Sequence, residues 1–143
     1  MTTLISKRAV ESPFWSWMPG MRTTGGWRVV SRGAPGSQVI CASMESSGEV
    51  ALFLRGEPVR GALKSERMEA WLPDLDDPAT FGCLVALARQ AWQIKDALAS
   101  RRDGCVGDPA WAVYWLGSMH GGDLGYGQTE VEAWVDALCA ARP

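Results

Sequence analysis

The sequence predicts an α+β fold: an N-terminal antiparallel strand meander, then a long helix, a β-hairpin and a C-terminal helix packed on an antiparallel sheet. Three observations predict it. Short β-branched or aromatic runs separated by Gly, Pro and Ser clusters occupy the first half. Apolar residues at three- and four-residue spacing follow Pro78. Thr129, with Glu132 three places on, marks the start of a last helical stretch.

Taken in order, residues 1–25 form an apolar, Trp-rich entry segment; its "SPFWSWMPGM" (12–21) has no clean period. The meander covers residues 26–63. It runs through "GWRVVSR" (26–32), "QVICASM" (38–44) and "EVALFLRG" (49–56), with "EPVRGAL" (57–63) as an edge strand, where Pro58 is tolerated. Residues 77–143 form a helix-hairpin-helix half. Asp77 ahead of Pro78 is an N-cap followed by the residue type favoured at the first helical position. The helix is expected to run to about Ala99, with Phe81, Leu84, Val85, Ala88, Ala91, Trp92 and Leu98 as one apolar stripe. "WAVYWLG" (111–117) and "GDLGYGQ" (122–128) pair around "SMHG", with Trp111 and Trp115 on one face in the core. The last helix, Glu130 to about Ala141, buries Val131, Trp134, Val135 and Leu138. With no repeat or linker, the 143 residues read as one domain.

Composition narrows the function classes. Net charge is −2, split as nine Lys/Arg against six Asp/Glu in residues 1–72 and five against ten in residues 73–143. Neither half has the dense basic surface of a nucleic-acid binder. No apolar run approaches the length of a membrane span, and "MTTLISKRAV" is not a signal peptide, so the expected location is cytoplasmic. The four cysteines, Cys41, Cys83, Cys105 and Cys139, never pair as CxxC, and His120 is the single histidine. Neither a zinc site nor another metal or cofactor is expected from such a set. A Cys–His nucleophile is conceivable in principle. Cys83 and Cys139, however, fall near apolar helix stripes, and His120 falls at a turn tip.

Asp74, Asp76 and Asp77 could be taken for a DxD cation site or a phosphorylated aspartate. That chemistry needs acids at the end of a buried strand, and "WLP" before them is too short and too broken by Pro73. Helix capping is the better account, with the extra charges favoured by the helix dipole. "GGDLGYGQTE" (121–130) is glycine-rich and leads into a helix N-terminus, an arrangement that can hold an anion through Gly125, Gly127 and Thr129. Yet it matches no phosphate-loop order and lacks Lys; the competing reading is a strand with small residues where another element crosses closely. Among eight tryptophans, Trp15 and Trp17 are the least explained by a core period. They either cover the sheet or, with Met18, form an aromatic contact for a partner.

"LPDLDDPATFGCLVALARQAW" (72–92) and "GYGQTEVEAWVDALCAA" (125–141), with "FWSWMPGM" and "GWRVV" ahead of them, resemble a group of small uncharacterised proteins of tailed phages and prophages. Their pattern is LPDLxDPATxGCLLALVREAW followed by TEAEALVAALEAA. Departures are Trp134, Cys139 and Gln93; Gln93 stands where a Gly commonly closes the helix, so the helix is expected to continue through "QIKDALAS". The resemblance implies a phage or prophage origin and brings no catalytic residue with it. The resulting expectation is a non-enzymatic accessory protein in the host bacterial cytoplasm. It would bind a host or phage protein, for instance to inhibit a host defence system such as CRISPR–Cas. The alternative is a small enzyme or nucleotide- or anion-binding protein using the Gly-rich run 121–127 with Asp123 or His120.

Overall fold

The strand runs of the first half form one four-stranded antiparallel sheet in the order β1 (Trp27–Arg32), β2 (Val39–Met44), β3 (Val50–Leu54), β4 (Glu57–Arg60). The structure, a computed structural model, describes residues 2–32, 39–54, 57–60, 72–102, 110–116 and 122–142. Leaving the first two residues aside, the chain forms two compact units. One is Ser16–Cys83; the other joins Thr3–Trp15 to Leu84–Pro143. The class is α+β, and the single domain expected from length is organised as these two units.

In the Ser16–Cys83 unit, period-two alternation sends Trp27 and Val29 of β1 inward and leaves Val30 exposed. Trp27 lies opposite Met44 and Val29 opposite Ala42, so Ile40 and Ala42 of β2 join the same buried face. Pro58 sits in β4, an edge strand, as a residue without an N–H must. The other side of β1 is lined by an irregular stretch: Gly20 N–H donates to Val29 O, Val29 N–H to Met21 O and Thr23 N–H to Trp27 O. That stretch in turn holds residues 72–74, through Thr24 N–H to Leu72 O and Asp74 N–H to Arg22 O. These bonds set the approach to the helix α2 (Pro78–Trp92), inside which the division between the units falls.

The second unit contains a three-stranded antiparallel sheet, β5 (Leu98–Arg101), β6 (Trp111–Tyr114) and β7 (Asp123–Gly127), under the helix α3 (Glu130–Ala140). The hairpin expected between 111 and 128 is β6–β7, and β5 extends it. Four sequence expectations are corrected here. The long helix ends at Trp92, not near Ala99, and "LASR" is a strand. Residues 2–11, read as part of the entry segment, form the helix α1 (Thr2–Glu11), burying Ser6 and Ala9. Trp111 and Trp115 are half-buried, and the fully buried residues of β6 are Ala112 and Val113. In α3 the inward face is Ala133, Trp134, Val135, Ala137 and Leu138, with Val131 only half-buried.

The physical reason for the early stop of α2 is a Schellman closure. Ile94 N–H donates to Arg89 O at 2.9 Å and Gln93 N–H to Gln90 O at 3.1 Å, with Gln93 in the left-handed region at φ 58°. The Arg89 guanidinium then donates twice to Ala97 O, at 3.0 and 2.9 Å, and pins the turn into β5. Leu98, read as the end of the helical stripe, is instead an exposed strand residue. An L-residue pays roughly 1–2 kcal/mol in that region, and glycine's added freedom in the unfolded chain returns about half of it. Gln93→Gly is therefore expected to raise stability by roughly 0.5–1 kcal/mol, seen as a higher urea midpoint at unchanged m-value. An unchanged midpoint would mean that the glutamine side chain offsets its own backbone strain.

Candidate functional site

The acidic cluster belongs to the start of α2, and its geometry is that of a cap joined to an ion-pair network. Asp77 accepts from Thr80 N–H at 3.0 Å, the N-cap bond, and from the Thr80 hydroxyl at 2.9 Å. The Arg28 guanidinium, 49 residues away on β1, donates to both Asp77 oxygens at 3.1 and 3.3 Å. Arg28 also donates to Glu45 at 2.7 Å and to Gly20 O at 2.8 Å. Asp74 accepts from Arg22 at 2.9 Å and from Asp76 N–H at 3.2 Å, the second being an Asx turn. Burial would raise the Asp77 carboxyl, but hydrogen bonds from Arg28 and Thr80 and the Arg28 charge outweigh it and hold the group below the ordinary carboxylate range. The oxygens of Asp74 and Asp77 are thus directed at guanidinium, hydroxyl and backbone donors.

The glycine-rich run is placed by packing. A Cβ on Gly125 would stand 2.3 Å from Ala137 N and 2.6 Å from Ala133 O; on Gly127 it would stand 2.5 Å from Ala133 N. β7 therefore lies directly against the α3 backbone, as the close-crossing reading expects. One N-terminal donor of α3 is capped internally, and the amide just ahead of the cap is held as well. Thr129 accepts from Glu132 N–H at 3.2 Å, and the Glu132 carboxylate reaches back to Gln128 N–H at 2.8 Å. Glu130 and Glu132 in the first turn also make this end a poor host for a further anion. Asp123 is engaged by Arg102 and accepts from the Tyr126 hydroxyl at 2.8 Å. Gly121 and His120 lie outside the described residues, as do Cys105 and Trp71.

Cys41, Cys83 and Cys139 are free and half-buried. Burial pushes the Cys83 and Cys139 thiols up, with Asp77 adding to the effect at Cys83, so both are held in the less nucleophilic protonated form. Among the described residues no three His, Cys, Asp or Glu side chains come together as a metal site. No helix among the described residues is long and apolar enough to cross a membrane.

The Trp-rich segment is irregular from residue 15 to residue 18, and Trp15, Trp17 and Met18 are all half-buried. Trp15 belongs to the unit of α1 and α3, with its backbone N–H donated to Ser12 O; Trp17 and Met18 belong to the sheet unit. Met18 N–H is directed at the Met21 sulfur at 3.3 Å. Sequence reasoning missed Arg22 and Arg28 as carboxylate partners, since pairing across some fifty residues has no local signature, and Asp136 as the acceptor of the Tyr126 amide. The chain matches no protein-family profile, no curated protein and no solved structure.

Proposed function

We propose that the protein is a non-enzymatic accessory protein of phage or prophage origin. In this reading it acts in the host bacterial cytoplasm by binding a host or phage protein, inhibition of a defence system such as CRISPR–Cas being one form of that action. The observation that carries the reading is the aromatic stretch at Trp15, Trp17 and Met18, which lies outside any helix or strand and leaves part of each side chain exposed. Large aromatics of this kind gain most when a partner removes the rest of their surface from water. Asp74, Asp77 and Asp123, in the two stretches best suited to chemistry, are engaged in a cap and in ion pairs, which favours this reading over the enzyme or anion-binding alternative.

The test is affinity capture of the tagged protein from an infected or lysogenic host, beside a Trp15→Ala/Trp17→Ala double variant. Half-burial limits the expected stability loss to about 1 kcal/mol per ring, so the variant is expected to remain folded and to lose the captured protein. Retained capture, or a melting transition that disappears, would reject this segment as the contact.

A further inference from the structure

β7 is the outer strand of its sheet, and such a strand normally offers a row of unpaired amides to any other chain. Pairing with β6 uses the Gly125 and Gly127 positions, opposite Val113 and Trp111. The amide of Tyr126, between them, and that of Gln128, the first residue past the strand, are directed at α3 side chains and not at β6. Both are occupied: Tyr126 N–H donates to Asp136 at 2.9 Å, and Gln128 N–H to Glu132 at 2.8 Å. Asp136 and Glu132 lie four residues apart on α3, one turn, the rise that spans two residues of an adjacent strand. Arg8 of α1 ion-pairs with Asp136 and fixes its carboxylate from the other side.

We propose that Glu132 and Asp136, with Arg8 behind them, form a guard that closes the β7 edge against strand addition by a second copy of this chain. The edge so closed suits a copy of itself. An antiparallel pairing about Tyr126 sets Leu124 against Gln128 of the other copy and Gly125 against Gly127, a two-fold register in which both copies present the same residues. Capping of α3 accounts for the Glu132 bond to Gln128, the residue just after β7, but not for the Asp136 bond to the Tyr126 amide inside the strand.

The experiment compares wild type, Glu132→Ala/Asp136→Ala and Glu132→Gln/Asp136→Asn by light scattering after gel filtration and by amide exchange. The alanine pair is expected to speed exchange at Tyr126 and Gln128 by about tenfold or more, the factor that a hydrogen bond to a charged acceptor is worth. It should also raise the mass above wild type in a concentration-dependent way. The amide pair, which retains a carbonyl acceptor at each position, should stay closer to wild type on both measures. Because Glu132 also serves the α3 cap, Asp136→Ala alone is the second variant, with the exchange effect confined to Tyr126. An alanine pair, or Asp136→Ala where the pair does not fold, that keeps wild-type mass at every concentration overturns the proposal.

Discussion

Gly125→Ala is expected to destabilise the protein by about 3 kcal/mol, the upper end of the usual cost of overpacking. The added carbon would stand 2.3 Å from Ala137 N and 2.6 Å from Ala133 O, and both are backbone atoms of a helix. A flexible side chain could turn aside; these atoms move only if α3 moves. That helix carries Trp134, Val135 and Leu138 in its buried face, so displacing it disturbs the centre of its unit. Urea unfolding should show the midpoint falling without a change in slope. A loss below about 0.5 kcal/mol, the range of ordinary surface changes, would mean that α3 slides on β7 at little cost and that the contact is not the constraint argued above.

Asp77→Ala is expected to cost about 2–3 kcal/mol, more than the ~1 kcal/mol of a typical N-cap. The excess comes from what the carboxylate does besides capping. Thr80 is fully buried and would lose the acceptor of both its N–H and its hydroxyl, while Arg28 would lose one of its two carboxylate partners. Asp77→Asn separates the two roles, since Asn caps as well as Asp; it should recover about 1 kcal/mol of the loss. The acid dependence has a definite sign. A carboxyl held below its ordinary value binds its proton more readily in the unfolded chain. Its stabilisation is therefore complete above the unfolded value, near pH 4, and is lost as pH falls through the lower folded value. Asp77→Ala should show a shallower acid-side loss of stability than wild type. An unchanged acid slope would place the stabilising interactions of this region elsewhere.

The strands of the first half are legible because their signal is local: "VICASM" and "VALFL" are β-rich runs with turn residues on either side. Asp77-Pro78 and Thr129 with Glu132 are legible for the same reason, as are Gly125 and Gly127 as points of close approach. The missed elements lack such signals. The buried positions of α1 include Ser6, Ala9 and, just past its end, Ser12, small and polar residues, while the apolar Leu4 is exposed. α2 stops on a left-handed glutamine where a glycine would have announced the end. β5, "LASR", has no β-branched residue, and its Leu98 falls in phase with the preceding helix. The link between Arg28 and Asp77 spans 49 residues and is a property of the sheet, not of either segment.

The second unit is assembled from two separated stretches of chain, which bears on the order in which the molecule can form. Ser12 Oγ donates to Leu138 O across 126 residues, and Arg8 meets Asp136 across 128. Ribosomes add about 5–20 residues per second, so α1 emerges roughly 6–25 s before its docking surface exists. The Ser16–Cys83 segment is continuous and can fold in that interval, while α1 waits on the nascent chain for the last 60 residues. Translation thus leaves the ten-residue α1 segment undocked for seconds, too short to hold a helix alone, a window in which chaperones can reach it.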